Sequence, residues 1–255
     1  MAYRPKTVYS RAAGKTTILL SVVFFFVALS GTAVAQKKFS RNYPTGQNVR
    51  LQLINKMGTV TVEGWNRNEI NISARMESPA ADIVPQNLSG TIVINIVRDN
   101  HAKETGPVNF TIRVPYTSMV DIETKIGNLN VSNIRSGLVR AHISSEGGIT
   151  LTNIESPMVA ADNVTGDIFF DGVIIADGNY RFTSSKGNIN LRIPFNSSFK
   201  LVATAPSTRN ISLGSFSGPG MNLLGDGRRV VGRFGDGSAT LTVTNQRGSI
   251  MFYPR

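Results

Sequence analysis

The chain contains no cysteine. Disulfide staples, thiolate metal sites and a cysteine nucleophile are therefore excluded, and so is an anchor of the bacterial lipoprotein type, which is attached to a cysteine. Histidine is nearly as scarce. His101 and His142 are the only two, far apart in sequence and with no obvious second ligand beside either, so no histidine-built metal site and no cofactor are expected. Charge is low as well: 17% of residues are charged against 41% apolar, which excludes disorder of the whole chain and leaves material for one sizeable core.

The charge that is present is unbalanced. The formal net charge is +11, and four basic residues (Arg4, Lys6, Arg11, Lys15) precede any long apolar run. With 23 basic and 16 acidic residues, the chain from residue 36 onward carries +7. A moderately basic surface attracts polyanions.

Behind the basic segment runs an apolar stretch, Ile18 to Leu29, followed by small residues ending in Ala33-Val34-Ala35. This is the three-part pattern of a secretory signal, with cleavage expected between Ala35 and Gln36. The alternative is an uncleaved anchor, because Thr16 to Ala35 is uncharged and about 20 residues span a bilayer as a helix. In both cases the domain beyond is expected outside the cytoplasm: periplasmic, on the cell surface or secreted. Gly14-Lys15-Thr16 resembles the end of a phosphate-binding loop, but the glycine that motif requires five residues earlier is replaced by Tyr9.

A five-residue phrase then recurs. It reads Gly58-Thr-Val-Thr-Val62, Gly127-Asn-Leu-Asn-Val131, Gly147-Gly-Ile-Thr-Leu151, Gly166-Asp-Ile-Phe-Phe170 and Gly187-Asn-Ile-Asn-Leu191, with weaker copies at Arg209 and Gly248. Alternating apolar positions after a glycine predict a strand with one buried face, entered through a turn of positive φ. The central copies are spaced 20, 19 and 21 residues apart. The match also extends past the strand, since Val131 to Ala141 realigns with Leu151 to Ala161 at an offset of 20. Each unit therefore holds two strands joined by Ser-, Asn-, Gly- and Pro-rich turns.

A constant period near 20 residues predicts an all-β fold, a β-solenoid of two-strand rungs with β-strand caps at both ends. Its interior columns would be Leu129, Ile149, Ile168 and Ile189, beside Val131, Leu151, Phe170 and Leu191. The expected organisation is a signal or anchor at 1–35, a linker at 36–47 and an N-terminal β cap at 48–119. Rungs follow at 120–214, then a Gly-rich, mobile loop and closing strands at 215–255. A second echo, Arg113-Val-Pro-Tyr against Arg192-Ile-Pro-Phe, marks two places where proline ends a strand before a short turn.

These features together resemble an adhesin-like family of exported bacterial proteins of unknown function, related to the head domains of auto-transporter adhesins. The residues that carry the resemblance are Gly58 to Trp65, the Val114-Pro115 step, the Gly-led rungs and the Gly-Asp-Gly closing segment with Gly248. It covers residues 48 to 253 and implies a β-solenoid fold and a binding or structural role, with no activity attached.

Solenoids can also carry polysaccharide lyases or hydrolases, and those need converging carboxylates or a base with charge-neutralising partners. Asp121 and Glu123 alternate with Val120 and Ile122 and so face outward, with His142 and Arg181 in comparable stretches of later rungs. Their expected role is that of solvated outer-face residues. Trp65 could offer a sugar-stacking surface, but it occupies the position of Ile134 and Ile154 relative to its glycine, which predicts a buried or capping role. Gly225-Asp-Gly227 and Gly235-Asp-Gly237 predict hairpin turns, not calcium loops. The reading that results is a non-enzymatic envelope or secreted binding module. Its expected partners are an anionic envelope polymer or a surface protein, not nucleic acid, and its only expected membrane contact is through an uncleaved N-terminal segment. The alternatives are a carbohydrate-active enzyme on the same scaffold and a membrane-anchored sensory ectodomain.

Overall fold

In the computed structural model, residues 1–2, 36–101 and 103–255 are described. The segment expected as a signal or anchor, with cleavage expected after Ala35, falls outside them. Residues Gln36–Arg255 form one unit. Its strands are β1 (Lys37–Pro44), β2 (Arg50–Met57), β3 (Val60–Trp65), β4 (Glu69–Met76), β5 (Gln86–Leu88), β6 (Thr91–Asn95) and, after the one-turn helix α1 (Ile96–Asp99), β7 (Val108–Pro115). The central strands are β8 (Met119–Ile126), β9 (Leu129–Ile134), β10 (Val139–Glu146), β11 (Ile149–Glu155), β12 (Met158–Thr165), β13 (Ile168–Val173), β14 (Asn179–Lys186) and β15 (Ile189–Ile193). The last part holds β16 (Phe199–Thr204), β17 (Ile211–Ser212), β18 (Met221–Leu224), β19 (Arg229–Phe234), β20 (Ala239–Asn245) and β21 (Ile250–Pro254).

Two sheets face each other across the core, of ten and eleven strands. A rung is one strand of the eleven-stranded sheet, a glycine-led corner, and one strand of the ten-stranded sheet. The rungs stack in parallel, as expected for a β-solenoid-like fold. Alternation puts every second side chain inside. Ile149 is paired with Leu129 on one side and Ile168 on the other, and Ile168 with Ile189. Leu151 is paired with Val131 and Phe170, and Phe170 with Leu191, and all eight of these side chains are buried. At about 1.5–3 kcal/mol for each buried aliphatic side chain, these columns supply much of the drive to fold.

The corners explain the glycines. Gly58, Gly127, Gly147, Gly166, Gly187 and Gly248 all have φ between +117° and +151°. A Cβ on Gly187 would lie 2.1 Å from the carbonyl oxygen of Gly166, and one on Gly248 would lie 1.8 Å from that of Gly187. A short polar residue stands three positions before each: Asn55, Thr124, Ser144, Asn163, Ser184 and Asn245. Four of these reach the neighbouring rung, Ser184 by its hydroxyl, which donates to the Gly166 carbonyl at 3.5 Å, and the three asparagines by their amides. Asn55 Nδ2 donates to the Val108 carbonyl at 3.0 Å, Asn163 Nδ2 to Gly147 at 2.7 Å and Asn245 Nδ2 to Gly187 at 2.7 Å. Each buried asparagine thereby satisfies a corner carbonyl that the strand ladder leaves free.

The order of the rungs departs from the order of the chain at both ends. In space the stack runs β6–β7, β2–β3, β8–β9, β10–β11, β12–β13, β14–β15, β20–β21, β16–β17. The segment at 48–119, expected as a cap, thus contributes two full rungs, and the closing strands β20 and β21 close nothing. They slot in beside β14 and β15, where Gly248 continues the glycine column and Ile250 and Phe252 pair with Ile189 and Leu191. The weaker copy at Arg209 is displaced outward. Arg209 has φ +57°, a different corner, and there the Thr208 hydroxyl donates to the Gly248 carbonyl at 2.6 Å.

The caps come from elsewhere. Residues 36–47, expected as a linker, contain β1, which pairs antiparallel with β4 from Lys37↔Met76 to Pro44↔Glu69. Phe39 and Tyr43 rest half-buried against the core, too sparse a pattern to signal a strand. β4 in turn lies antiparallel on β7. At the other end the Gly-rich segment, expected as a mobile loop, forms the antiparallel pair β18–β19 against β16. It is held by aromatic packing: Phe216 is buried, with ring centroids 5.1 Å from Phe234 and 6.1 Å from Phe199. Such antiparallel additions cover rung edges that would otherwise offer unpaired N–H and C=O groups to other chains.

Candidate functional site

The outward face of the eleven-stranded sheet gathers the residues singled out for chemistry. Strand register sets Asp121 of β8 beside Arg140 of β10, and Glu123 beside His142. The same register places Asp162 of β12 on the far side of His142. A row Glu123–His142–Asp162 therefore crosses three strands; its third member could have been found as the residue one period after His142. Arg181 of β14 completes the patch by donating to Asp162 Oδ2 at 2.9 Å.

Asp121 is not the solvated residue that alternation predicts. Arg140 Nε donates to its Oδ1 at 2.6 Å and Arg140 Nη2 to its Oδ2 at 3.0 Å, while Arg50 Nη2 donates to Oδ2 at 2.9 Å. Two guanidinium groups roof the carboxylate, leaving it 5% exposed, and the carboxylate in turn holds the Arg140 pKa above its ordinary value. A carboxylate with both oxygens held by guanidinium groups and almost no exposed surface has no free oxygen to turn toward a substrate.

The opposite sheet repeats the device. Asp171 of β13 is buried and meets Arg192 from β15 and the Arg255 guanidinium at 3.2 Å. Glu63 pairs with Arg113 at 3.3 Å and Glu155 with Arg135 at 3.4 Å. Except for Arg255, which follows β21 and lies two strands from β13, the acid and the base of each pair come from rungs adjacent in the stack, so these outer faces are laced by cross-rung ion pairs and do not converge on one point.

The remaining candidates separate. His101 lines a cavity of about 690 Å³ beside α1, with Lys56, Arg98 and Lys103. Three cations around one imidazole oppose a metal cation, and among the described residues no group of three His, Asp or Glu side chains is placed to hold a metal. Trp65 is half-buried at a corner; its indole N–H donates to the Glu69 carbonyl at 2.9 Å, and Arg67 and Arg113 lie 4.9 and 5.8 Å from the ring centre. Gly225-Asp226-Gly227 turns β18 into β19, as expected of a hairpin. Gly235-Asp236-Gly237 does not, because it joins β19 to β20 across β16, and the Ser198 hydroxyl and the Ser238 N–H hold Asp236 below its usual pKa. The buried phenol of Tyr180, its pKa raised by desolvation, is structural: its hydroxyl donates to the Ser156 carbonyl at 2.9 Å and accepts from the Ile175 N–H at 2.7 Å.

Among the described residues the arrangement offers extended, charge-patterned sheet faces and no assembled acid, base and nucleophile. Comparison with known proteins agrees with the fold. A family model described as Toastrack DUF4097 matches residues 27–215. No curated protein matches the chain. Among solved structures, a putative cell adhesion protein from Clostridium sporogenes superposes with a TM-score of 0.51 at 11% identity, covering 87% of this chain and 100% of that one. A putative adhesin from Bacteroides fragilis gives a TM-score of 0.38 at 10% identity, with 88% and 100% covered. A putative lipid binding protein from Parabacteroides distasonis gives 0.36 at 9%, with 85% and 97% covered. Among the described residues no helix is long and apolar enough to cross a membrane.

Proposed function

The chain belongs to the Toastrack DUF4097 family, and from that premise we propose that it is an exported, non-catalytic binding module whose long sheet faces engage an anionic envelope polymer or a surface protein. One observation carries this reading: carboxylates that a hydrolase or lyase would need are committed to arginines of neighbouring rungs, Asp121 to Arg50 and Arg140, Asp162 to Arg181, and Asp171 to Arg192. The name of the Clostridium sporogenes neighbour, a putative cell adhesion protein, points the same way.

The net charge of +7 beyond residue 35 sets the expected behaviour. The protein is expected to be retained on an acidic polysaccharide at low ionic strength and released as the Debye length falls to about 3 Å near 1 M salt. Polymer length is expected to stay unchanged on incubation. The row Glu123–His142–Asp162 favours the rival reading of a carbohydrate-active enzyme. Shortened polymer, with the shortening abolished by Glu123→Gln at intact fold, would establish that enzyme instead.

Export is tested separately. Intact-mass measurement of the protein recovered from producing cells is expected to give a chain beginning at Gln36. A mass that retains residues 1–35 would favour the anchor reading.

A further inference from the structure

The charge is not spread evenly along the stack. Residues 36–199 hold 16 basic and 14 acidic residues, whereas residues 200–255 hold seven basic and two acidic. The last rungs and the β18–β19 hairpin therefore carry most of the excess. The bases also differ in pairing: among the described residues nine of the first 16 are in ion pairs, against one of the last seven, Arg255. Arg50, Arg113, Arg135, Arg140, Arg181 and Arg192 are all in ion pairs, whereas among the described residues Lys200, Arg228, Arg229 and Arg233 form none.

The tip of this hairpin adds exposed apolar surface. Leu223 is 66% and Leu224 48% exposed, directly before the turn Gly225-Asp226-Gly227, and Arg228 and Arg229 stand directly after it. Register fixes their directions. Leu223 pairs with the buried Val230 and so lies on the core side of the sheet, beyond the edge of the core, while Leu224 pairs with Arg229 on the outer side. Adjacent strand residues point to opposite faces. The two leucines thus leave the tip in opposite directions, and no neighbouring strand covers either.

We propose that the hairpin tip Leu223–Arg229 docks the C-terminal end of the solenoid onto the surface of an anionic lipid bilayer. Both leucines are covered only by a medium that surrounds the tip, which a bilayer interface does and a polymer strand lying along one sheet face does not. Unpaired arginines beside exposed apolar residues suit anionic headgroups above an acyl layer. The inference goes beyond the polymer-binding reading and departs from the expectation that only the N-terminal segment touches a membrane.

The absence of native cysteine allows a single reporter. The protein from Gln36 onward, which forms one unit, carrying Leu224→Cys labelled with an environment-sensitive fluorophore is mixed with vesicles of phosphatidylglycerol and phosphatidylcholine, and the same label at Asn179→Cys, exposed in mid-stack, serves as control. The expected result is a blue shift at position 224 only. It should be absent with phosphatidylcholine alone and be weakened about 25-fold in apparent affinity by Arg228→Gln with Arg229→Gln, about fivefold per charge. Arg228→Lys with Arg229→Lys is expected to retain binding, which separates charge from any loss of fold. No shift with anionic vesicles, an equal shift at position 179, or a shift produced by soluble acidic polysaccharide without vesicles would overturn the proposal. Retention on polysaccharide without a vesicle response would leave the binding-module reading standing and remove this one alone.

Discussion

Ile168→Asp is expected to leave the protein unfolded under conditions where the parent is folded. Ile168 has no exposed surface and lies in the middle of the stack, paired with Ile149 on one side and Ile189 on the other. An aspartate there would be a charge in an aliphatic column with no base to meet it, and the surrounding rungs cannot move apart without breaking the ladders on both sides. The cost is several kcal/mol, comparable with the whole stability of an ordinary domain, at about 5–15 kcal/mol. Its neighbour gives the contrast. Asp167 is exposed, and its Oδ1 accepts from the Asn188 N–H at 2.7 Å. A side-chain amide would keep an oxygen in that place, so Asp167→Asn is expected to melt within about 0.5 kcal/mol of the parent. Calorimetry of the two variants decides the matter: equal melting temperatures would be incompatible with this register.

The second large effect is expected at the corner. In Gly187→Ala the new methyl would lie 2.1 Å from the Gly166 carbonyl oxygen, on a residue at φ +137°. Neither problem has a cheap escape. The opposing atom is backbone, its rung is fixed by pairing on both sides, and an L residue at that φ is strained whatever the space. Together strain and overpacking are expected to cost about 3–5 kcal/mol. Gly46→Ala, with nothing within 4 Å of the added carbon, is expected to be neutral or slightly stabilising through the unfolded state. A loss of stability at position 187 no greater than at position 46 would mean that the glycine column is not needed.

The resemblance drawn from the Gly-led phrases pointed to the family that the family model identifies, and the period pointed to the fold, because both depend on local features. Alternation places side chains in or out, and a glycine is needed wherever one rung passes another at positive φ. A polar residue stands three positions before each glycine, and only the stacked rungs show its role. Nothing local says that Asn163 donates to a carbonyl of the previous rung, 16 residues back, or that Asn245 reaches Gly187, 58 residues back. The weak signal at Phe39 and Tyr43 failed for the opposite reason. A cap strand with only two partly buried residues carries too little apolar pattern to be told from a linker.

The sequence alone determined what repeats: the strand, the corner glycine, the two interior columns and the spacing near 20 residues. Each follows from chemistry within one rung and its copy. The tertiary structure decided what does not repeat. It set the order of the first and last rung pairs, the strands that cap them, and the arginines that roof Asp121. Arg50 is 71 residues from Asp121 in sequence and adjacent to it in space. Parallel rungs are interchangeable as far as backbone hydrogen bonding goes, so their order is chosen by which side chains and corners fit side by side. Gly248 fits against Gly187 and Arg209 does not, and that fit exists only once the rungs are stacked.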